Sequence, residues 1–122
     1  MSLVSNIEKL LSYAKGVSQE TIDQAIKEII ESHRQTLRKH STYQGLTKEY
    51  RESARKALIL IDKVLAGKTT FQNEVYKLNQ DIRVPNELFI LFHENFNVIL
   101  STLLPQARTL DKTIKRLYWQ KK

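Results

Sequence analysis

Glycine and proline occupy only five positions in this chain, Gly16, Gly45, Gly67, Pro85 and Pro105, and the apolar residues between them recur every three or four. Breakers this sparse leave long segments uninterrupted, and a period near 3.6 makes those segments amphipathic helices. No segment sustains the period-two alternation of a half-buried strand, and no Asn-Gly hairpin dipeptide occurs. The expected fold is an all-α antiparallel helical bundle, with four main helices plus shorter terminal or connecting helices. Its 122 residues suit a single helical-bundle domain over residues 1–122.

The helices can be placed from their stripes and caps. Leu3, Ile7, Leu10, Leu11 and Ala14 share a face that Gly16 closes. Ser18 is a natural N-cap, and Ile22, Ile26, Ile29, Ile30, His33 and Leu37 carry a second stripe to about Lys39. After the loop "HSTYQGL", Thr47 caps a third helix whose Tyr50, Ala54, Ala57, Ile61 and Val64 lie together until Gly67. Thr69 with Gln72 reads as a capping box for a short helix bearing Phe71, Val75, Leu78 and Ile82.

The next segment, "NELFILFHENFNVILSTLLP", is the most apolar of the chain. It is too short to cross a membrane, because the run free of charge and histidine, 95–107, is thirteen residues where a span needs about 20. With Val84-Pro85 forcing a turn and Asn86 capping, it is expected as one buried helix. Leu88, Phe92, Phe96, Ile99 and Leu103 should lie in the main core. Pro105 should end it, and Ala107, Leu110, Ile114 and Leu117 continue as a last helix.

Catalytic and metal signatures are scarce. "HENFN" begins like the HExxH zinc motif, but the second histidine's position is Asn97, and His33 and His40 stand seven apart without a third ligand. Three isolated glycines cannot form a phosphate loop, and the carboxylates are scattered. The reading is a non-enzyme with no cofactor and no metal. The chain has no cysteine, which excludes disulfides and thiol chemistry and suits a reducing cytosol. "MSLVSNIEKLL" lacks the basic flank and apolar run of a signal peptide.

The net charge of +7 is concentrated. Residues 34–56 hold seven bases (Arg34, Arg38, Lys39, Lys48, Arg51, Arg55, Lys56) against two acids, and residues 106–122 hold six (Arg108, Lys112, Lys115, Arg116, Lys121, Lys122) against Asp111. Two basic blocks on a mildly acidic body form an electrostatic footprint, or else a solubilising surface. Beside the second block, Tyr118 and Trp119 have three open readings: stacking on nucleotides, resting at a membrane interface, or completing the core. An up-and-down trace through reversals at Pro85 and Pro105 would bring Arg38, Lys39, Lys48 and Arg51 to one pole with Lys121 and Lys122.

"LLSYAKGVSQETIDQAI" has the outline of a DNA-binding helix-turn-helix. Lys15 stands where that motif buries an apolar residue, and Glu20, Asp23, Glu28 and Glu31 would face phosphates. A capped corner between two bundle helices accounts for the same residues.

Residues 50–82, "YRESARKALILIDKVLAGKTTFQNEVYKLNQDI", join a helix to a Gly/Lys turn, an aromatic–x–x–Glu helix start and an aliphatic stripe. In this, and in size, basicity and lack of cysteine, the chain resembles the class IIa (pediocin-like) bacteriocin immunity proteins, enterocin A immunity type. The resemblance implies a cytoplasmic protein of a Gram-positive bacterium, peripheral at the inner membrane face. It would bind the complex of bacteriocin and mannose-type permease, and block it without catalysis. The family's specificity-setting C-terminal half corresponds to residues 86–122, so Arg108, Lys112, Lys115, Arg116, Tyr118, Trp119, Lys121 and Lys122 become the candidate contacts. Arg34, Arg38, Lys39, Lys48, Arg51 and Arg55 form a second patch, with an anionic membrane surface as a further partner. A nucleic-acid-binding regulator and a helical adaptor exposing part of the 86–104 helix stay open as alternatives.

Overall fold

A hydroxyl side chain starts each of the first four helices. Ser2, Ser18, Thr47 and Thr70 precede α1 (Leu3–Ser12), α2 (Gln19–His40), α3 (Lys48–Leu65) and α4 (Phe71–Tyr76), and each oxygen accepts the backbone N–H three residues on. This satisfies one of the donors that every helix start leaves without an intrahelical partner. Past the Ala66 cap of α3, Gly67 (φ 77°) takes the left-handed conformation that lets the chain leave the helix, whereas Gly16 (φ 81°) takes it in the Ala14–Val17 turn, beyond the Tyr13 cap of α1. The computed structural model describes residues 2–78, 84–92 and 100–119. Two further helices, α5 (Asn86–Phe92) and α6 (Leu100–Ile114), complete an all-α helical bundle, and the last turn, Lys115–Trp119, widens to a π-helix.

The helices α2 and α3 form the long hairpin of the bundle. α5 packs on α3 and α1, while α4 packs on α6. The core is built largely from the expected stripes: Ile26, Ile30 and Leu37 of α2, Ala54, Ala57, Ile61 and Val64 of α3, and Ala107, Leu110 and Ile114 of α6 are buried, whereas Leu11 and Tyr50, expected on the first and third stripes, are exposed. Leu88, Phe92 and Leu103 are buried as expected, and Phe71 meets Phe92 edge-on with ring centroids 5.5 Å apart. Phe96 and Ile99 lie outside the described residues, as do His93, Glu94 and Asn97 of the zinc-like motif. Among the described residues no helix is long and apolar enough to cross a membrane.

Three boundaries differ from the sequence reading. The α4 cap is Thr70, one residue later than expected, and Thr69 instead donates its hydroxyl hydrogen to Glu74. At α5, the Pro85 carbonyl accepts from Leu88, so Asn86 is the first helical residue rather than the cap. Pro105 lies inside α6 and does not end a helix. Its ring removes the hydrogen bond to the Ser101 carbonyl, yet both residues are exposed, so water can serve that carbonyl.

Continuity through Pro105 removes the reversal on which a single basic pole depended. The Trp119 indole lies on the carbonyls of Val64 and Leu65, at the C-terminal end of α3, whereas the 41–47 loop precedes its N-terminal end. Those ends are about 27 Å apart for an 18-residue helix. The structure therefore puts residue 119 at the opposite end of α3 from Arg38, Lys39 and Lys48. Lys121 and Lys122 lie outside the described residues.

Candidate functional site

Helix α6 presents the second basic block in two parts. Its inner side, Leu103, Ala107, Leu110 and Ile114, is buried, which fixes the helix against the bundle. Arg108 and Lys112 stand exposed on it. Among the described residues beyond Ile114, both bases, Lys115 and Arg116, are engaged within the molecule. Lys115 Nζ lies 5.5 Å from the Trp119 ring centroid, a cation–π contact. The Arg116 guanidinium donates to Asp23 at 2.6 Å and, with Gln19, holds that carboxyl below its ordinary range. Trp119 Nε1–H is shared between the Val64 and Leu65 carbonyls at 3.0 and 3.2 Å. Trp119 thereby caps α3, joining the core rather than offering a ring for stacking. Tyr118 keeps more of its surface open, and burial of the rest raises its phenol above the ordinary range.

The first block divides similarly. Arg34 bridges Asp62 (2.7 Å) and Glu31 (2.6 Å), and Arg55 holds both oxygens of Glu52 at 2.7 Å. Arg51 donates to the Gln44 side-chain oxygen at 2.9 Å. Arg38, Lys39 and Lys48 remain exposed, without a carboxylate partner among the described residues. Asp23, on the helix that a DNA-binding reading would send into a groove, is occupied by Arg116.

Two residues matter more than the sequence reading allowed. Asp111, only 2% exposed, accepts the Phe71 and Gln72 N–H groups at 2.8 and 2.9 Å, forming an N-terminal cap for α4 from 40 residues away. Its place four residues after Ala107 and three before Ile114 put it on the apolar stripe, and that spacing was the available signal. His33 is 9% exposed, and its buried Nε2 has no hydrogen-bond partner among the described residues.

Burial lowers the His33 pKa to about 4. An unfolded histidine titrates near 6.5, so the folded chain binds fewer protons between these values, and acid favours unfolding. The stabilisation is complete above about pH 6.5 and is lost as pH falls through the folded pKa, with about 2 kcal/mol gone between roughly pH 8 and pH 5. Urea unfolding across that range should show this slope, and His33→Leu should flatten it. A parent protein with a flat profile would show that His33 titrates normally.

Between α1 and α6 runs an open groove of about 240 Å³, lined mainly by Val4, Ile7, Leu11, Pro105 and Leu110, with Gln106 donating to Glu8 across it at 3.3 Å. Among the described residues no three His, Asp or Glu side chains converge as metal ligands would. Of the 86–104 segment that an adaptor would expose, Leu88, Leu91, Phe92 and Leu103 are buried, and 93–99 lie outside the described residues. Compared with known proteins, the chain matches no family model, no curated protein and no solved structure.

Proposed function

We propose that this chain is an immunity protein of the class IIa bacteriocin type, acting by binding and without catalysis. It protects the cell by occupying the complex of bacteriocin and mannose-type permease from the cytoplasmic side. The observation that carries this reading is the outer face of α6: Arg108 and Lys112 stand exposed on a helix whose inner side is locked into the core. A rigid helix with uncommitted cations suits protein recognition, since little side-chain or backbone order is lost on docking. It also lies within residues 86–122, the half that the resemblance assigns to specificity.

Expression in a sensitive strain, followed by challenge with a panel of pediocin-like bacteriocins, tests the reading directly. Protection against at least one member is expected, and protection against none would remove the proposal. In a protected strain, the double change Arg108→Glu and Lys112→Glu should lower protection about tenfold through lost electrostatic complementarity. Stability should stay within about 0.5 kcal/mol, as for surface substitutions generally.

A further inference from the structure

Three exposed cations of the first basic block, Arg38, Lys39 and Lys48, are gathered at one end of the molecule beside Arg51, while Lys56 stands further along α3. Between residues 38 and 51, at the tip of the α2–α3 hairpin, stand Arg38, Lys39, Lys48 and Arg51, with Glu49 the only acid. Arg38 and Lys39 lie in the last turn of α2, where cations complement the helix dipole, so helix stability alone accounts for them. Lys48 has no such account. It is the first residue of α3, where the dipole disfavours positive charge, and among the described residues it has no carboxylate partner to offset that cost.

The same tip holds two exposed aromatic rings. Tyr43 is 62% exposed and Tyr50 38%, the latter packed at 5.7 Å from the His40 ring. The Tyr43 ring lies directly over Gly45, where an added Cβ would come within 2.4 Å of its Cε2. Gly45 does not have positive φ, so its missing side chain serves the ring and not the backbone. Tyr43 thus lies against Gly45 while most of its surface faces outward, beside an open depression lined by Lys39, His40 and Gln44.

We propose that this hairpin tip is a docking surface for anionic lipid bilayers. An end bearing four bases and two exposed tyrosines matches a flat, negatively charged interface, where amphipathic rings settle at headgroup depth beside cations. Nucleic acid is a poorer match. A duplex needs cations spread along its phosphates, and single strands need successive stacking rings, whereas Tyr50 already packs against His40. The inference deepens the immunity reading and rests on it for a position at the membrane face; because the tip is remote from the C-terminal turn and its test uses no bacteriocin, either can fail without the other.

Co-sedimentation of the full chain with vesicles of phosphatidylcholine alone, or with roughly one-third phosphatidylserine, provides the test. Binding is expected only with phosphatidylserine, and should weaken as salt is raised. Lys39→Gln with Lys48→Gln should weaken it about thirty-fold, at about fivefold per base. Gly45→Ala retains every charge but displaces the Tyr43 ring, and should weaken binding about threefold; thermal melts of each variant verify folding. Three results would overturn the proposal: equal binding to neutral vesicles, no binding to anionic ones, or an equal loss from Arg108→Gln with Lys112→Gln. Tighter binding to a random duplex or single strand, lost in the same tip variants, would assign the surface to nucleic acid instead.

Discussion

Replacing Phe92 by alanine should destabilise the protein by about 3–5 kcal/mol, the range for emptying a buried phenylalanine site. Phe92 is 1% exposed and closes the end of α5 against the bundle, where its backbone carbonyl also accepts the buried Ser2 hydroxyl at 2.6 Å. The ring meets Phe71 edge-to-face at 88°, so the cavity would open beside α4 as well as α5. A loss of this size is a large fraction of the stability of a domain of this length. In a thermal melt followed by circular dichroism, it corresponds to roughly 10–20 °C. A double-mutant cycle with Phe71→Leu should reveal a coupling of about 0.5–1.5 kcal/mol for the ring pair. A Phe92→Ala protein within about 1 kcal/mol of its parent would place α5 outside the core that holds the bundle together.

The second large effect is expected at Asp111. A buried carboxylate is unfavourable unless its oxygens are satisfied. Here both are: Oδ1 accepts from Phe71 N–H and Oδ2 from Gln72 N–H, at the positive end of α4. With only six residues, α4 has no capacity to persist by its own propensity. Asp111→Ala would leave two amide donors without their acceptor, at about 1–3 kcal/mol each before relaxation, so a net loss of about 3 kcal/mol is expected. Asp111→Asn conserves shape but turns an amide donor toward a backbone donor, and should lose about as much. Urea unfolding gives the magnitude. Hydrogen exchange gives the location, since protection should fall first over 71–76. An alanine variant within about 0.5 kcal/mol of the parent would mean that water takes over the carboxylate's role.

What the sequence reveals of this fold is what its neighbours in sequence determine. Ser18 and Thr47 cap α2 and α3 as expected, because a cap needs only a hydroxyl and an N–H three residues away. The stripes of α2, α3 and α6 were equally readable, since each is a spacing rule applied within one helix. Pro105 misled because the rule that proline ends helices is local, whereas its tolerance here depends on which side of α6 meets water. Asp111 and Trp119 were hidden for a related reason. Their partners lie 40 and about 55 residues away, and neither a lone acid in a basic tail nor an aromatic beside lysines announces such a bond. The candidate site was legible as charge and not as geometry: the bases were countable, but which of them are spent on Asp62, Glu52 and Asp23 emerges only in three dimensions.

Trp119 is also the chain's one tryptophan. Its indole rests on the last carbonyls of α3 with Lys115 above the ring, so the protein's long-wavelength fluorescence arises almost wholly from one joint. Light excited at the red edge of the absorption band reports whether the final turn is seated, while the five tyrosines answer for the remainder of the fold. Release of that turn would move the emission toward that of indole in water before the helical circular dichroism changed. The molecule therefore carries its own optical gauge of C-terminal docking, with no label attached.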